Sequence, residues 1–311
     1  MTSERGQSTP FFLCFLVLMT VMVGTMVNVG QAINRRMALQ ILADAGAWTG
    51  ATNMAIGLNG LAEVNEWRHD IEPVASIGVP VAGFFGADGV MKTIFEVGTT
   101  IINFVDMGIQ LGYAKIPYDE AARVTYYNAH DLFPGEQLEW FEGFRLGWLS
   151  SGSDVVGNEV PFSKSRPTIC TDQPFLDETF FLMPCLVDEE PIKNTVYYVV
   201  PCFPFGYCPA SYTYVKWYEK TDETISFVWV VRAPEAKAIF NPFDVFGDDA
   251  IPAMTAAAHA KPVGGTIEDG TDEYRAKMIP LTSAAMYLAP EAAFQAGAYD
   301  EIFEKWRRIA Y

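Results

Sequence analysis

GQSTPFFLCFLVLMTVMVGTMVNVGQAIN, residues 6–34, carries no charged side chain, and Arg35 and Arg36 follow it together. A helix needs about 20 mostly apolar residues to cross about 30 Å of hydrocarbon, and Pro10 to Ile33 supplies 24. Phe11 to Met19 is apolar on every face, as a lipid-facing helix must be, and Pro10 sits where a first helical turn tolerates a missing N–H. The competing reading is a cleavable secretory signal, whose apolar core is about 7–15 residues long and ends in a small-x-small site. This run is longer, and Gly24 to Gly30 makes a poor site of that kind. An uncleaved, single-pass anchor is expected.

Two signals bear on orientation, and they disagree. Arg5 lies on one side of the span and Arg35 with Arg36 on the other, which by the positive-inside rule alone holds the large domain in the cytoplasm. Cysteine usage argues the other way. Apart from Cys14 inside the span there are four, Cys170, Cys185, Cys202 and Cys208, all in one loop-rich region. Of the three possible pairings we favour Cys202 with Cys208 and Cys170 with Cys185, each close in sequence around proline-rich turns; four unrelated buried thiols are the alternative. The bulk is therefore expected outside the cytoplasm, periplasmic or extracellular, with the N-terminus cytoplasmic. The net charge is −17, and residues 1–36 contribute +2 (Arg5, Arg35 and Arg36 against Glu4), so the remainder carries −19. Nucleic acid is excluded as an expected partner, because binding it depends on Lys and Arg neutralising phosphates.

Helical character continues beyond the Arg pair, since no proline appears until Pro73, and a helix from Phe11 to about Trp67 would span about 85 Å at 1.5 Å per residue. Its face is unusual. Ala43, Ala47, Ala51 and Ala55 recur every four residues, with Gly46 and Gly50 beside them. Small residues at this spacing let backbones approach closely. Alanine is also simply a good helix former, but Gly46, Gly50, Gly57 and Gly60 each cost about 1 kcal/mol relative to Ala in a helix, and close packing explains them. The partner of this helix-packing stripe is left open between the chain's next helix and another subunit.

Arg5-Gly6-Gln7, the uniform apolar helix, Val29-Gly30-Gln31, Arg35-Arg36 and Leu39-Gln40 to Asp44-Ala45-Gly46-Ala47 together resemble the N-terminus of TadE/TadG-like proteins of tight-adherence (Tad/Flp) pilus systems. The resemblance covers about 60 residues. Asn53-Met54-Ala55 and Leu58-Asn59 are similar to the continuation in larger TadG-like members, as, more weakly, are Ala256 to Pro262 and Trp306-Arg307-Arg308. It implies a pilus-assembly or pilin-like protein held by one helix, with membrane lipid and either its own copies or other pilus-assembly proteins as partners. Phe11 stands five residues after Gly6, where class III prepilins carry Glu, so the resemblance does not extend to prepilin-type processing there.

The rest reads as an α+β chain. Residues 1–36 form the transmembrane anchor, 37–149 a helical stalk and helical middle region, and 150–311 a C-terminal antiparallel, β-rich, disulfide-bonded region. Ile77 to Ala87 reads as a buried turn. Met91 to Ala114 has helical periodicity and carries Lys92, Glu96 and Asp106, each costly in lipid, which argues against a second span. Tyr118–Asp131 and Glu136–Leu149 read as further helices. Thr195–Val200, Tyr212–Tyr218 and Thr224–Val231 are rich in β-branched and aromatic residues and read as three antiparallel strands. Ala250–Ala260 suggests a helix, Ala276–Met286 an edge strand and Tyr299–Ile309 a final amphipathic helix.

Catalytic signals are sparse. His69, His130 and His259 are scattered, with no H-E-x-x-H spacing, and Leu149-Ser150-Ser151-Gly152 is no nucleophile elbow. The acidic runs Asp188-Glu189-Glu190 and Glu268 to Glu273 read as solvated loops rather than calcium sites. No cofactor, metal or catalytic residue is expected. The sequence favours a non-enzymatic structural or assembly protein over a membrane-tethered periplasmic enzyme or ligand-binding domain.

Overall fold

The computed structural model describes residues 8–142, 152–153, 159–160, 164–165, 168–170, 183–187, 189–202, 206–220, 225–240, 251–267 and 272–278. Helix α1 runs Ser8–Pro73, 66 residues or about 100 Å, straight past Arg35 and Arg36. Pro73 has no N–H to give the ladder, and Val74–Gly78 follow as a π-turn in which the Val79 N–H reaches back to the Val74 carbonyl. A short α2 (Val79–Phe84) then ends in a turn where Gly86 takes φ +75°, a backbone that favours glycine. The buried turn expected over 77–87 is thus mostly helix, and Ile77, Val81, Phe84 and Phe85 are exposed.

Helix α3 (Asp88–Leu132) returns antiparallel along α1, with Ile71 against Gly98, Ile109 against Gly60 and Tyr113 against Gly57. The glycines on α1 let the larger α3 side chains sit close. The two helices read from sequence on either side of Pro117 are one, because losing a single ladder bond kinks or weakens a helix without obliging it to end when its face is packed.

The strands are β1 (Glu139–Glu142), β2 (Gly152–Ser153), β3 (Glu159–Val160), β4 (Lys164–Ser165), β5 (Thr168–Cys170), β6 (Met183–Cys185), β7 (Glu189–Cys202), β8 (Gly206–Lys220), β9 (Ile225–Ala233), β10 (Met254–Val263) and β11 (Arg275–Met278). The main sheet has the order β1-β9-β10-β11, all antiparallel, with β4 parallel beside the start of β9. The three strands read as one set divide between two sheets: β7 and β8 form a separate long hairpin with a bulge at Ile192/Lys193, while β9 belongs to the main sheet. Two helices expected from sequence are corrected. Glu139–Glu142, within the expected helix 136–149, is strand β1 and satisfies the free edge of β9; Met254–Val263, overlapping the expected helix 250–260, is the central strand β10. Alanine's helix propensity loses there to pairing on both sides. β11 lies at the sheet's edge and overlaps the start of the edge strand expected over Ala276–Met286; the rest of that stretch, and Tyr299–Ile309, lie outside the described residues.

The core sits where α1 and α3 cover one face of this sheet. Leu39, Leu42, Met54, Leu58 and Leu61 of α1 meet Phe227, Trp229 and Val231 of β9 and Ala256, Ala258 and Ala260 of β10. These alternate along their strands, as a face of period two requires. Val228, Val230, Ala257 and His259, on the opposite face, are buried as well.

Candidate membrane anchor and helix-packing surface

Phe11 to Val23 of α1 is exposed on all sides, including Phe11, Phe12, Leu16 and Val17. Aliphatic and aromatic surface left wet on every face costs about 25 cal/mol per Å², so a water-soluble protein would fold it away. This is the one helix among the described residues long and apolar enough to cross a membrane. Arg35 is the first charged side chain beyond the apolar run. It turns inward, with Nη1 donating to Glu136 Oε1 at 2.6 Å and Nη2 to the Pro234 carbonyl at 2.6 Å, its guanidinium 5.4 Å from the Phe133 ring centroid. Arg36 stays exposed.

Beyond Arg35 the small-residue stripe goes under the protein's own sheet. Ala43, Ala47 and Ala51 are fully buried and Ala55 nearly so. A Cβ at Gly46 would overlap the Trp229 indole and one at Gly50 the Phe227 ring; those two rings stack with centroids 5.8 Å apart. The indole N–H donates to Thr125 Oγ1 at 2.8 Å, so α3 fixes the ring that lies on α1. Facing the stripe, β10 is also built of alanines. Both elements are small where they meet, and the stripe packs on the chain's own sheet, beside the alternatives of the next helix and another subunit left open from sequence.

A polar cluster joins the helices to the hairpin. Arg68 donates to Asn65 Oδ1 at 2.8 Å, Asn103 Oδ1 at 3.0 Å and Asp106 Oδ2 at 2.5 Å, with its guanidinium 4.5 Å from the Tyr218 ring centroid. Asn65 Nδ2 in turn donates to the Tyr218 and Ile267 carbonyls at 2.8 and 2.6 Å. On α3, Gln110 Oε1 accepts the Leu186 and Val187 N–H groups at 3.0 and 3.1 Å. Burial raises the Asp106 carboxyl against the opposing pull of Arg68. Burial also pushes the Tyr218 phenol up to about 12 from 10.0, with Arg68 opposing and Asp106 and Glu189 adding. A raised pKa means the fold prefers the neutral phenol: its contribution is complete below the unfolded value and is lost as pH rises through about 12. Tyr218→Phe is therefore expected to lose less stability than the wild type between pH 10 and 12, read from urea midpoints; parallel curves would contradict the burial argument.

Cys202 and Cys208 are bonded, Cα atoms 5.7 Å apart, at the tip of the β7–β8 hairpin. The backbones of Cys170 and Cys185 lie on paired strands β5 and β6, and their side chains are outside what is described. His69 lies near Glu72 and Trp217, His130 is exposed beside Asp131, and His259 is buried in β10; they do not converge. Among the described residues no group of His, Cys, Asp or Glu has metal-binding geometry. Of the acidic runs, Glu190, Asp272 and Glu273 are exposed, but Glu189 is buried, contrary to a wholly solvated loop. A shallow depression of about 390 Å³ is lined by Gln137, Glu139, Arg232, Pro234, Glu235 and Ala253, with Arg232 and Glu139 paired at 3.3 Å. That lining offers two carboxylates and one guanidinium, with Glu139 already engaged by Arg232.

The N-terminal resemblance implies a chain held by one apolar helix, and α1 supplies an exposed apolar length of that kind. Residues 6–53 match the TadE/G-like Flp pilus-assembly family. The TadE/G-like segment thus takes in the exposed apolar length, the Arg pair and the stripe as far as Ala51. No curated protein and no solved structure matches the chain. The TadE/G-like match and the apolar helix support a pilus-assembly role; what lies beyond Asn53 is described by its own geometry.

Proposed function

We propose that this chain is a non-enzymatic, membrane-anchored structural or assembly protein of a Tad-type pilus or related surface filament. The observation that carries it is the continuity of α1: one helix supplies an exposed apolar length suited to lipid and to neighbouring helices, and then becomes the central rod of a folded domain. The Ala43, Gly46, Ala47, Gly50, Ala51 and Ala55 stripe locks that rod to the domain, so contacts between copies or with other pilus components fall to the exposed face of Phe11 to Ile33. Helix association in lipid needs van der Waals fit rather than a hydrophobic drive, and Gly30, where an added Cβ would meet nothing within 4 Å, leaves room for a neighbouring helix.

The Cys202–Cys208 bond supports a domain facing the oxidising side of the membrane, with the N-terminus cytoplasmic. Membrane lipid and pilus components are the partners, and no cofactor takes part. Removal of the gene product from its host provides the test. Pili are expected to be lost or malformed, and restored by the full chain but not by one lacking residues 8–33. Unaltered pili in the deletion strain would sink the reading.

A further inference from the structure

The face of α1 that meets the rest of the protein begins inside the uncharged run. Gly24, Asn28, Gln31 and Arg35 recur at spacings of four, three and four, which places them on one side of the helix. All four meet the segment leaving β9. Arg35 holds the Pro234 carbonyl; Gln31 Nε2 donates to the Lys237 carbonyl at 3.1 Å while its Oε1 accepts the Ile239 N–H at 2.9 Å. Asn28 accepts the Phe240 N–H at 3.1 Å and donates to the Phe240 carbonyl at 2.7 Å. A Cβ at Gly24 would overlap the Phe240 ring. Residues 234–240 therefore form a strap that descends along α1, away from the sheet, by about 16 Å from the level of Arg35 to that of Gly24. Paired backbone bonds between Ala236 and Ile251, 3.0 and 3.1 Å, fix the point where it leaves the body.

The strap has the chemistry of a lipid interface. Its carbonyl at Lys237, its N–H at Ile239 and both backbone groups at Phe240 are taken up by Asn28 and Gln31, so none of these is left for hydrocarbon to satisfy. The Ile239 side chain is 73% exposed, and Lys237, level with Gln31, is exposed on the domain side of it. Counted from Pro10, about 30 Å of hydrocarbon takes about 20 residues and ends near Val29. Gly24 then lies roughly 8 Å below the boundary, within the depth of about 5–10 Å at which apolar interfacial elements lie.

We infer that the strap Pro234–Phe240 is a second membrane contact, in which Ile239 and Phe240 enter the domain-side leaflet beside α1 while Lys237 stays among the headgroups. This rests on the membrane-anchor reading above. Lipid is the occupant because the strap's exposed side is continuous with the lipid-facing surface of the helix it covers. The consequence is orientation: a single helix lets the domain turn about the helix axis, whereas a second point of entry fixes which face each copy presents to its neighbours.

Spin-label accessibility in the full-length protein tests this, with Cys14→Ser as background and reconstitution into phosphatidylethanolamine–phosphatidylglycerol vesicles. Labels are placed singly at Ile239→Cys, Leu18→Cys and Asp272→Cys, all exposed positions, and read by their accessibility to oxygen against an aqueous nickel chelate. The expected result is a lipid signature at 18, an aqueous one at 272, and a value at 239 shifted from the aqueous reference toward lipid. A label at 239 indistinguishable from that at 272, with 18 still in lipid, overturns the inference and leaves the anchor standing. An aqueous signature at 18 overturns both.

Discussion

Asp106→Ala is expected to lower stability by about 3–5 kcal/mol, while Arg68→Met combined with Asp106→Leu recovers most of that loss. Arg68 and Asp106 are among the most deeply buried charged side chains described, at 4% and 0% exposure, and they meet at 2.5 Å. Bringing both out of water is costly, and their attraction offsets that cost only while both are present. Removing the carboxylate leaves an always-charged guanidinium facing two amide oxygens and the face of Tyr218, a poor replacement for a counter-ion. Asp106→Asn keeps an acceptor of the same shape and drops the charge. Because burial already raises this carboxyl, Asn is expected to cost less than Ala. Urea midpoints of the detergent-solubilised chain at neutral pH measure all three. A loss under about 1 kcal/mol for the Ala variant would show that the pair is wetter than the packing implies.

That pair marks a limit of what the sequence displays. Arg68 and Asp106 are 38 positions apart on separate helices, and nothing local distinguishes Asp106 from the solvent-facing charges of α3. The legible features are those written into a continuous stretch. The uncharged run marks the lipid-facing helix, the absence of proline carries it past Arg35 and Arg36, and the β-branched and aromatic runs mark β7, β8 and β9. Cys202 and Cys208 flank a proline-rich tip that the structure shows bonded.

Where local propensity and tertiary demand conflict, the sequence misleads in an instructive direction. Ala256, Ala257, Ala258 and Ala260 look helical because alanine is the best helix former. In the fold they are a central strand, and Ala256, Ala258 and Ala260, on its helix-facing side, answer the same need as Ala43, Ala47 and Ala51 of α1, while Gly46 and Gly50 make room for the Trp229 and Phe227 rings of β9. Gln40 Nε2, on α1, even reaches the Ala257 carbonyl at 3.2 Å. The polar face Gly24, Asn28, Gln31 is also present in the sequence. The absence of charge around it hides a stripe whose partner lies about 210 positions away.

Gly46→Leu is expected to be the most disruptive single change on α1, at about 3 kcal/mol or more, the upper end for overpacking a core. The Trp229 ring lies where the new Cβ must go, and it cannot swing aside: its N–H is held by Thr125, Tyr118 meets it edge-on at 5.5 Å and Phe227 stacks on it. Trp229→Ala alone is expected to cost about 3–5 kcal/mol, by the void it opens and the contacts it forfeits. The two losses share one volume and so should not add. The double variant is expected to be more stable than their sum by about 1–3 kcal/mol, since the side chain introduced in place of Gly46 would occupy space the indole gave up. Gly108→Ala, on the exposed face of α3 with nothing within 4 Å, supplies the opposite sign, a gain of about 0.5–1 kcal/mol from helix propensity. Thermal and urea unfolding followed by far-ultraviolet circular dichroism separate these cases. Strict additivity of the Gly46 and Trp229 changes would mean that the stripe does not lie under this ring, and that its small residues await a partner outside the chain.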